Sequence, residues 1–231
     1  GLSALKSLLR RAGLRRPGKR HSAPWQPPEA SWSRPFGLGW QNPYTVRYAS
    51  NLDDGPNHGM PLGGFGAGCI GRAPDGSFNL WHLDGGEHWF GVIPDCQFAL
   101  FESNGQSARA HALAVKPQAD ASRPGSGEPL SSWSWYPAST PTTSTGTYAA
   151  RYPISSTHYS GVFEAEVSCE AFSPILPGDY QRTSYPVAVF VWTLRNPTDQ
   201  PLDLSLLLSW RSLPWAGLGG SSGRLAKAIG R

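Results

Sequence analysis

The sequence predicts an all-β fold, an antiparallel β-sandwich, on three observations. The 231 residues include 27 Gly and 22 Pro, a composition typical of many short strands joined by turns rather than of helices. Several segments alternate apolar and polar residues, as strands with one buried face do. Apolar residues make up 39% of the chain and charged residues only 16%, so there is enough apolar material for a core.

Residues 1–20 form a basic leader. They hold seven of the 20 Lys and Arg and no acid, which leaves 13 basic residues against 16 acidic ones in the remainder. Their leucines have near-helical spacing, so a disordered leader and a short basic helix both fit. A membrane-surface contact, a nucleic-acid contact of this leader and a transit peptide are alternatives that a basic segment alone supports weakly. Because the remainder is nearly neutral, we expect no nucleic-acid partner.

Targeting and cysteine patterns restrict the class of protein. No stretch approaches the ~20 apolar residues that a membrane span needs, and no signal-peptide core is visible, so a cytoplasmic location is the default expectation. Cys69, Cys96 and Cys169 are odd in number and widely spaced, which predicts reduced thiols rather than a disulfide framework or a zinc site. We expect no cofactor and no bound metal. The first residue is Gly rather than Met, so we expect the natural start to lie upstream.

Two hairpins are predicted after an irregular entry segment. Residues 21–58 are rich in Pro, Trp and Asn and show no strand or helix period. Residues 69–83 are predicted to fold as a hairpin around Pro74-Asp75-Gly76, in which Pro presets one dihedral angle and Gly accepts a positive one. A second hairpin is predicted over residues 97–115, with its turn at Asn104-Gly105. The Pro, Ser, Thr and Gly of residues 117–146 predict a long loop.

The later strands are the clearest. Residues 162–172 alternate, with apolar side chains on one face and glutamates on the other. Residues 186–194 are apolar on both faces, which predicts a strand buried inside the sandwich. After the turn at 196–201, residues 202–210 alternate again and are predicted to pair with the preceding strand as an antiparallel hairpin.

The sandwich is therefore assigned to residues 59–211. Residues 212–231 lose the strand pattern and form a Gly/Ser-rich tail. We expect the sandwich to be incomplete at its C-terminal end, through truncation or a frameshift, with exposed apolar inner faces.

A glycine-rich segment contains Gly66-x-Gly68-x-x-Gly71, which by itself resembles a dinucleotide-binding fingerprint. That motif requires a strand before it and a helix after it. Here Pro61 precedes it and a predicted hairpin follows. The favoured interpretation is structural: the glycines allow two backbones to approach closely or a strand to bend.

A second cluster gathers two histidines and two acids between two tryptophans: Trp81, His82, Asp84, Glu87, His88 and Trp89. Metal ligation is conceivable. A glycosidase pair is conceivable too, but its carboxyls lie about 5–5.5 Å apart in a retaining enzyme and normally come from separate elements. A polar loop between packing tryptophans is the main interpretation, and a sugar-contacting loop is the alternative. Glu164, Glu166 and Glu170 are interpreted as a solvated strand face.

No assembled catalytic constellation is visible in the sequence. H-E-x-x-H and a phosphate-binding G-K-S/T are both missing from it. The G-x-S-x-G spacing occurs only as Gly219-Gly220-Ser221-Ser222-Gly223 in the Gly/Ser-rich tail, without the preceding strand that a nucleophile elbow requires.

Two blocks of the sequence resemble glycoside hydrolase family 116, the non-lysosomal glucosylceramidases or bile acid β-glucosidases. The first block is Gly59-Met60-Pro61-Leu62-Gly63-Gly64-Phe65-Gly66-Ala67-Gly68-Cys69-Ile70-Gly71-Arg72, continued by Asp75-Gly76-Ser77-Phe78 and Leu80-Trp81-His82. The second is Glu170-Ala171-Phe172-Ser173-Pro174, then Pro186-Val187-Ala188-Val189-Phe190, then Asn196-Pro197-Thr198-Asp199 and Leu206-Leu207-Leu208-Ser209-Trp210.

This resemblance implies an N-terminal β-sandwich that packs on a C-terminal (α/α)6 domain. That domain would hold a Glu nucleophile and an Asp acid/base, so no catalytic residue is expected in this chain, which is expected to be inactive alone. A glucoside or glucosylceramide-like substrate is implied. The candidate cleft residues of this chain are Gly64, Gly66, Gly68, Trp81, His82, Asp84, Glu87 and His88.

The alternative from another functional class is a stand-alone carbohydrate-binding β-sandwich. Its stacking platforms would be Trp81, Trp89, Trp133 or Trp135, because aromatic faces offer large apolar area to sugar rings. The two hypotheses differ in whether these tryptophans are exposed.

Overall fold

The computed structural model describes residues 32–37, 59–83, 89–117 and 133–211. Within these ranges the chain forms twelve strands and one short helix. They are β1 (Trp32–Pro35), β2 (Met60–Leu62), β3 (Cys69–Arg72), β4 (Phe78–His82), β5 (Trp89–Phe90), β6 (Gln97–Ser103), β7 (Ala108–Ala112), β8 (Gly146–Arg151), β9 (Ile154–Tyr159), β10 (Glu166–Phe172), α1 (Tyr180–Thr183), β11 (Val189–Arg195) and β12 (Asp203–Ser209).

The strands form three sheets, with the orders β1-β8-β9-β10-β11, β12-β6-β7 and β2-β3-β4-β5. Every pair in these sheets is antiparallel. One hydrophobic cluster joins all three sheets, through Phe78 of β4, Phe98 of β6 and Val167 of β10. Aromatic rings pack against one another in this cluster: the ring centroids of Phe98 and of Phe190 in β11 lie 5.0 Å apart. The predicted all-β sandwich is confirmed.

Both predicted hairpins are confirmed. β3 pairs with β4 around a turn in which Gly76 has a φ of 84° and Asp75 Oδ1 accepts the Ser77 backbone N–H at 2.9 Å. β6 pairs with β7 around the Asn104-Gly105 turn. Local turn chemistry was sufficient to predict both, because each hairpin joins neighbouring segments.

The predicted hairpin of β11 and β12 is wrong. β11 pairs with β10, where Leu194 lies opposite Val167, while β12 pairs with β6, where Leu206 lies opposite Leu100. The turn between them crosses from one sheet to another. Both strands carry an apolar inner face that packs on the same cluster, so they lie face to face across the core rather than edge to edge.

β11 is also not buried on both faces, because it is the end strand of its sheet and its residues are half-buried or exposed. β12 ends the three-stranded sheet in the same way, and its Leu206 and Leu208 remain 38% and 49% exposed. Two leucines on the inner face of β12 are therefore partly exposed, while the incompleteness of the sandwich stays a prediction.

Strands β8 and β9 were not predicted. The buried residues of β9 include Ser155, Ser156 and Thr157, and β8 buries the consecutive residues Tyr148 and Ala149, so neither strand has the apolar alternation that identifies a strand. β1 was also missed, since it lies in the predicted irregular entry segment and pairs with β8. The leader at 1–20, most of the entry segment and the tail at 212–231 lie outside the described residues.

The described part of the chain contains no helix that is long and apolar enough to cross a membrane.

Candidate functional site

A surface pocket of about 390 Å³ lies where β2 and β3 are connected. Four of the predicted cleft residues line it together, namely Gly64, Gly66, Gly68 and His82. The remaining lining residues are Pro61, Gly63, Phe65, Cys69, Tyr152 and Ile175. The glycine-rich segment and the start of the polar cluster, separate in the sequence, are thus parts of one pocket.

The pocket is built around a tight turn, residues 64–67, which we call the glycine turn. The Ala67 backbone N–H donates to the Gly64 carbonyl at 3.0 Å, and Gly66, the third residue, has a φ of 76°. A positive φ at this position is typical of a type II turn and favours glycine. The sequence at the tip is therefore suited to its backbone conformation.

Segments distant in the sequence hold the glycine turn in place. The Phe65 N–H donates to the Thr183 carbonyl at 2.8 Å, and the Gly63 N–H donates to Ser173 Oγ at 2.6 Å. Ser173 Oγ in turn donates to the Val187 carbonyl at 2.9 Å. Ser173 is buried, so these hydrogen bonds are shielded from water. The turn is fixed by the fold rather than by its own side chains.

The predicted close approach of backbones is confirmed at two glycines. A Cβ added to Gly64 would lie 2.4 Å from the Tyr185 carbonyl oxygen, and one added to Gly68 would lie 2.4 Å from the His82 carbonyl oxygen. Any side chain at either position requires the neighbouring backbone to move. These glycines are packing requirements of the pocket floor.

In contrast with this buried base, the tip of the turn is open. Phe65 is 67% exposed, and a Cβ added to Gly66 would meet nothing within 4 Å. Tyr152, on the β8–β9 connection, is 63% exposed and lines the same pocket. The site therefore presents two aromatic side chains to solvent, one of them on a rigidly held backbone.

The polar wall of the pocket is a cross-strand pair. Cys69 of β3 lies opposite His82 of β4 in the register of the sheet. Burial raises the pKa of the Cys69 thiol, so the thiol stays protonated at neutral pH and is a poor nucleophile. The described lining residues include no Asp or Glu, so this part of the lining does not supply an acid/base pair.

Trp81 is a core residue, which corrects its prediction as a cleft residue. Its side chain is fully buried, its Nε1–H donates to the Gly91 carbonyl at 2.9 Å, and its ring lies 5.7 Å from that of Trp210. It offers no ring face to a ligand. Asp84, Glu87 and His88 lie outside the described residues and stay predictions, as does the side chain of Trp89.

The three glutamates interpreted as one solvated face have different environments. Glu164 precedes β10. Its Oε1 accepts from Asn104 Nδ2 at 2.9 Å and lies 3.3 Å from Arg109 Nη2. Glu166 pairs with Arg195, which lowers the pKa of that carboxyl, whereas burial raises the pKa of Glu170. Among the described residues no group of three or more His, Cys, Asp or Glu could hold a metal ion.

A second groove, of about 350 Å³, lies on the outer face of the three-stranded sheet. It is lined by Trp133, His111, Ser134, Leu207 and the alanines Ala99, Ala110 and Ala112. Trp133 and Trp135 are half-buried, with ring centroids 6.0 Å apart and planes inclined by 34°. Of the four proposed stacking platforms, these two are partly accessible and Trp81 is not.

Sequence reasoning missed Phe65, Tyr152 and Ile175 as pocket residues. A signal for Phe65 was present, because an aromatic residue flanked by glycines in a turn is not packed by its neighbours. No comparable signal marked Tyr152 or Ile175, which only the fold brings to the pocket.

A family model described as beta-glucosidase 2, glycosyl-hydrolase family 116 N-term matches residues 59–226. The matched region is more than half of the chain. It includes the glycine turn and every strand from β2 to β12.

Proposed function

The chain belongs to the N-terminal domain family of glycosyl hydrolase family 116, and from this premise we propose that it serves a retaining β-glucosidase of the glucosylceramidase type. In that enzyme it is the non-catalytic β-sandwich. It packs against an (α/α)6 catalytic domain, and the glycine turn forms one wall of the substrate cleft.

The observation that carries this proposal is the construction of the glycine turn. Backbone N–H groups of Gly63 and Phe65 donate to Ser173 Oγ and to the Thr183 carbonyl and so fix the backbone of the turn. Phe65 is 67% exposed at its tip. Exposed apolar side chains on a rigid backbone are typical of surfaces that contact another molecule. The turn also lies within the part of the chain that matches the family.

The chemistry of the proposed enzyme divides between two domains. Retaining hydrolysis needs two carboxyls about 5–5.5 Å apart, one as the nucleophile and one as the acid/base. The described residues of the pocket include no carboxyl, so we assign both groups to the catalytic domain. The part left to this chain is to shape the cleft and to exclude water from one side of it.

Reconstitution in trans tests this function. The chain is co-expressed with the (α/α)6 domain of a family 116 member that lacks its own N-terminal domain, and hydrolysis of an aryl β-glucoside is measured. We expect a co-purifying complex whose activity exceeds that of the catalytic domain alone, and no hydrolysis by the chain alone. Hydrolysis by the isolated chain would contradict the proposal, and so would a failure of the two parts to associate or to gain activity.

The second candidate is a carbohydrate-binding module, and the half-exposed Trp133 beside its groove favours it. The buried Trp81 counts against it. Trp133→Ala separates the two, because it removes sugar binding by the isolated chain under the second hypothesis. Under the first hypothesis it leaves the reconstituted activity unchanged.

A further inference from the structure

We propose that the pocket beside the glycine turn is an aglycone site, which takes the apolar leaving group of a β-glucoside, and that Phe65 determines the preference for that group. This inference rests on the proposed function, since it names what the cleft wall contacts.

The described lining residues fit an uncharged ligand that is apolar in part. None of the described lining residues is Lys, Arg, Asp or Glu. Pro61, Phe65, Tyr152 and Ile175 supply apolar side chains from three separate parts of the chain. Ligand pockets of this kind hold an apolar group by burial and use few polar groups for orientation.

The position of the apolar groups favours a ligand rather than internal packing. Phe65 and Tyr152 remain 67% and 63% exposed although both line the pocket. The space next to Gly66 is empty to 4 Å, so an alkyl or aryl group can approach the turn without displacing protein. Such a group would cover apolar surface that is otherwise in contact with water.

The rigidity of the turn favours selection between ligands. The Phe65 N–H is bonded to the Thr183 carbonyl and the adjoining Gly63 N–H to Ser173, so the Phe65 backbone is in place before a ligand arrives. A preorganised backbone costs little ordering entropy on binding. Replacing the Phe65 side chain should therefore change affinity with little change in stability.

The chemistry of the described lining residues favours one part of the substrate over the other. The sugar ring that a retaining glycosidase cleaves lies between its two carboxyls. The described lining of this pocket offers neither. The pocket therefore fits the portion of the substrate that extends away from the cleaved bond, which is the aglycone.

The test uses the isolated chain and two probes, octyl β-glucoside below its micelle-forming concentration and methyl β-glucoside. Binding is measured by saturation-transfer NMR, with affinities from titration. We expect octyl β-glucoside to bind at least about tenfold more tightly than methyl β-glucoside, and Phe65→Ala to reduce octyl affinity by about tenfold. Phe65→Tyr should retain the octyl affinity, because it keeps the ring.

Phe101→Ala is the matched control, since Phe101 is also an exposed phenylalanine at 40% but lies on β6, away from the pocket. It should leave the octyl affinity unchanged. Equal binding of the two glucosides overturns the aglycone site. So does equal loss of affinity in both Phe→Ala variants, or loss in Trp133→Ala and not in Phe65→Ala.

The outcome is separable from that of the proposed function. A chain that restores activity in trans but does not discriminate octyl from methyl β-glucoside refutes only the aglycone site. A chain that discriminates them through Phe65 but neither associates with nor activates the catalytic domain refutes only the proposed enzyme role.

Discussion

Two turns of this protein are alike in the conformation of a central glycine and differ in what holds them. Gly66 and Gly105 both have a positive φ, 76° and 83°, and a Cβ added to either would meet nothing within 4 Å. The side chain of Asn104 closes the turn at Gly105, because its Oδ1 accepts the backbone N–H groups of Gln106 at 3.0 Å and Ser107 at 2.8 Å. The glycine turn is instead held by Ser173 and Thr183, more than 100 residues away in sequence.

This difference distinguishes a turn that only connects two strands from a turn that exposes a side chain on a fixed backbone. A turn closed by local hydrogen bonds needs only to join two strands, and it exposes polar residues such as Gln106. A turn that distant segments fix in place keeps its exposed side chain at a defined position, which a binding surface requires. The comparison predicts that substitutions at the base of the glycine turn are costly and that equivalent changes at the other turn are not.

The largest effect is expected for Gly64→Ala. The new methyl group would lie 2.4 Å from the Tyr185 carbonyl oxygen, so the backbone must shift. We expect a loss of about 3 kcal/mol in the free energy of unfolding, as in overpacked interiors. Urea unfolding measures it, with Gly105→Ala as the matched control. Equal losses in the two variants would show that the glycine turn is not held by its surroundings.

Ser173→Ala is expected to have the next largest effect. It removes the acceptor for the Gly63 N–H and the donor to the Val187 carbonyl in a buried setting, at a cost of about 2 kcal/mol. Asn104→Ala should cost less, because water can satisfy the exposed N–H groups of Gln106 and Ser107.

Hydrogen exchange adds a local measurement to this comparison. The Gly63 amide should exchange faster in Ser173→Ala than in the unmodified chain. Unchanged exchange there, or a larger stability loss in Asn104→Ala, would contradict the assignment of Ser173 as the anchor.

Gly66→Ala and Gly105→Ala should have small and equal effects. Each places an L-residue at positive φ with no steric neighbour, at a cost of about 1 kcal/mol. Thermal unfolding of both variants checks this equality. A much larger loss at Gly66 would mean that its open space is occupied in solution.

The smallest effect on stability is expected for substitution of Cys69. The reactivity of this thiol provides a separate measurement. Cys69 is the partly exposed thiol of the pocket, whereas Cys96 and Cys169 are buried. Burial raises the pKa of Cys69, so the thiolate fraction is small at neutral pH and grows as the pH rises through and above the ordinary thiol range.

Alkylation of the native chain should therefore reach Cys69 first and should accelerate with pH. Octyl β-glucoside should slow it by occupying the pocket. Mass spectrometry after limited labelling reads out the order, and Cys69→Ser removes the fast site. Faster labelling of Cys96 or Cys169 would contradict the described burial.

Much of the fold could be predicted because the signals were local. Pro74-Asp75-Gly76 and Asn104-Gly105 specify turns within a few residues, and the alternation in residues 162–172 specifies the buried face of β10. The glycine-rich segment similarly implied the close backbone contacts that Gly64 and Gly68 make. Its context in the sequence excluded a dinucleotide site.

The predictions that failed concern the strands, whose pairing depends on competition between segments distant in the sequence. Alternation predicts that β11 and β12 each have an inner face, but their pairing with β10 and β6 rather than with each other depends on which edges the folded sheets leave available. Strand β9 buries Ser and Thr between other strands, and β8 buries the consecutive residues Tyr148 and Ala149, so hydrophobic alternation could not identify either strand.

The sequence by itself determined the fold class, the hairpins around Pro74-Asp75-Gly76 and Asn104-Gly105, and the family, because turn chemistry, periodicity and motif order are properties of neighbouring residues. The tertiary structure decided that Trp81 is buried and Phe65 exposed, and that Tyr152 and Ile175 join the glycine turn in one pocket. The physical reason is that exposure depends on what packs over a side chain. In this protein those packing residues come from segments about 100 residues away, whose position no local pattern specifies.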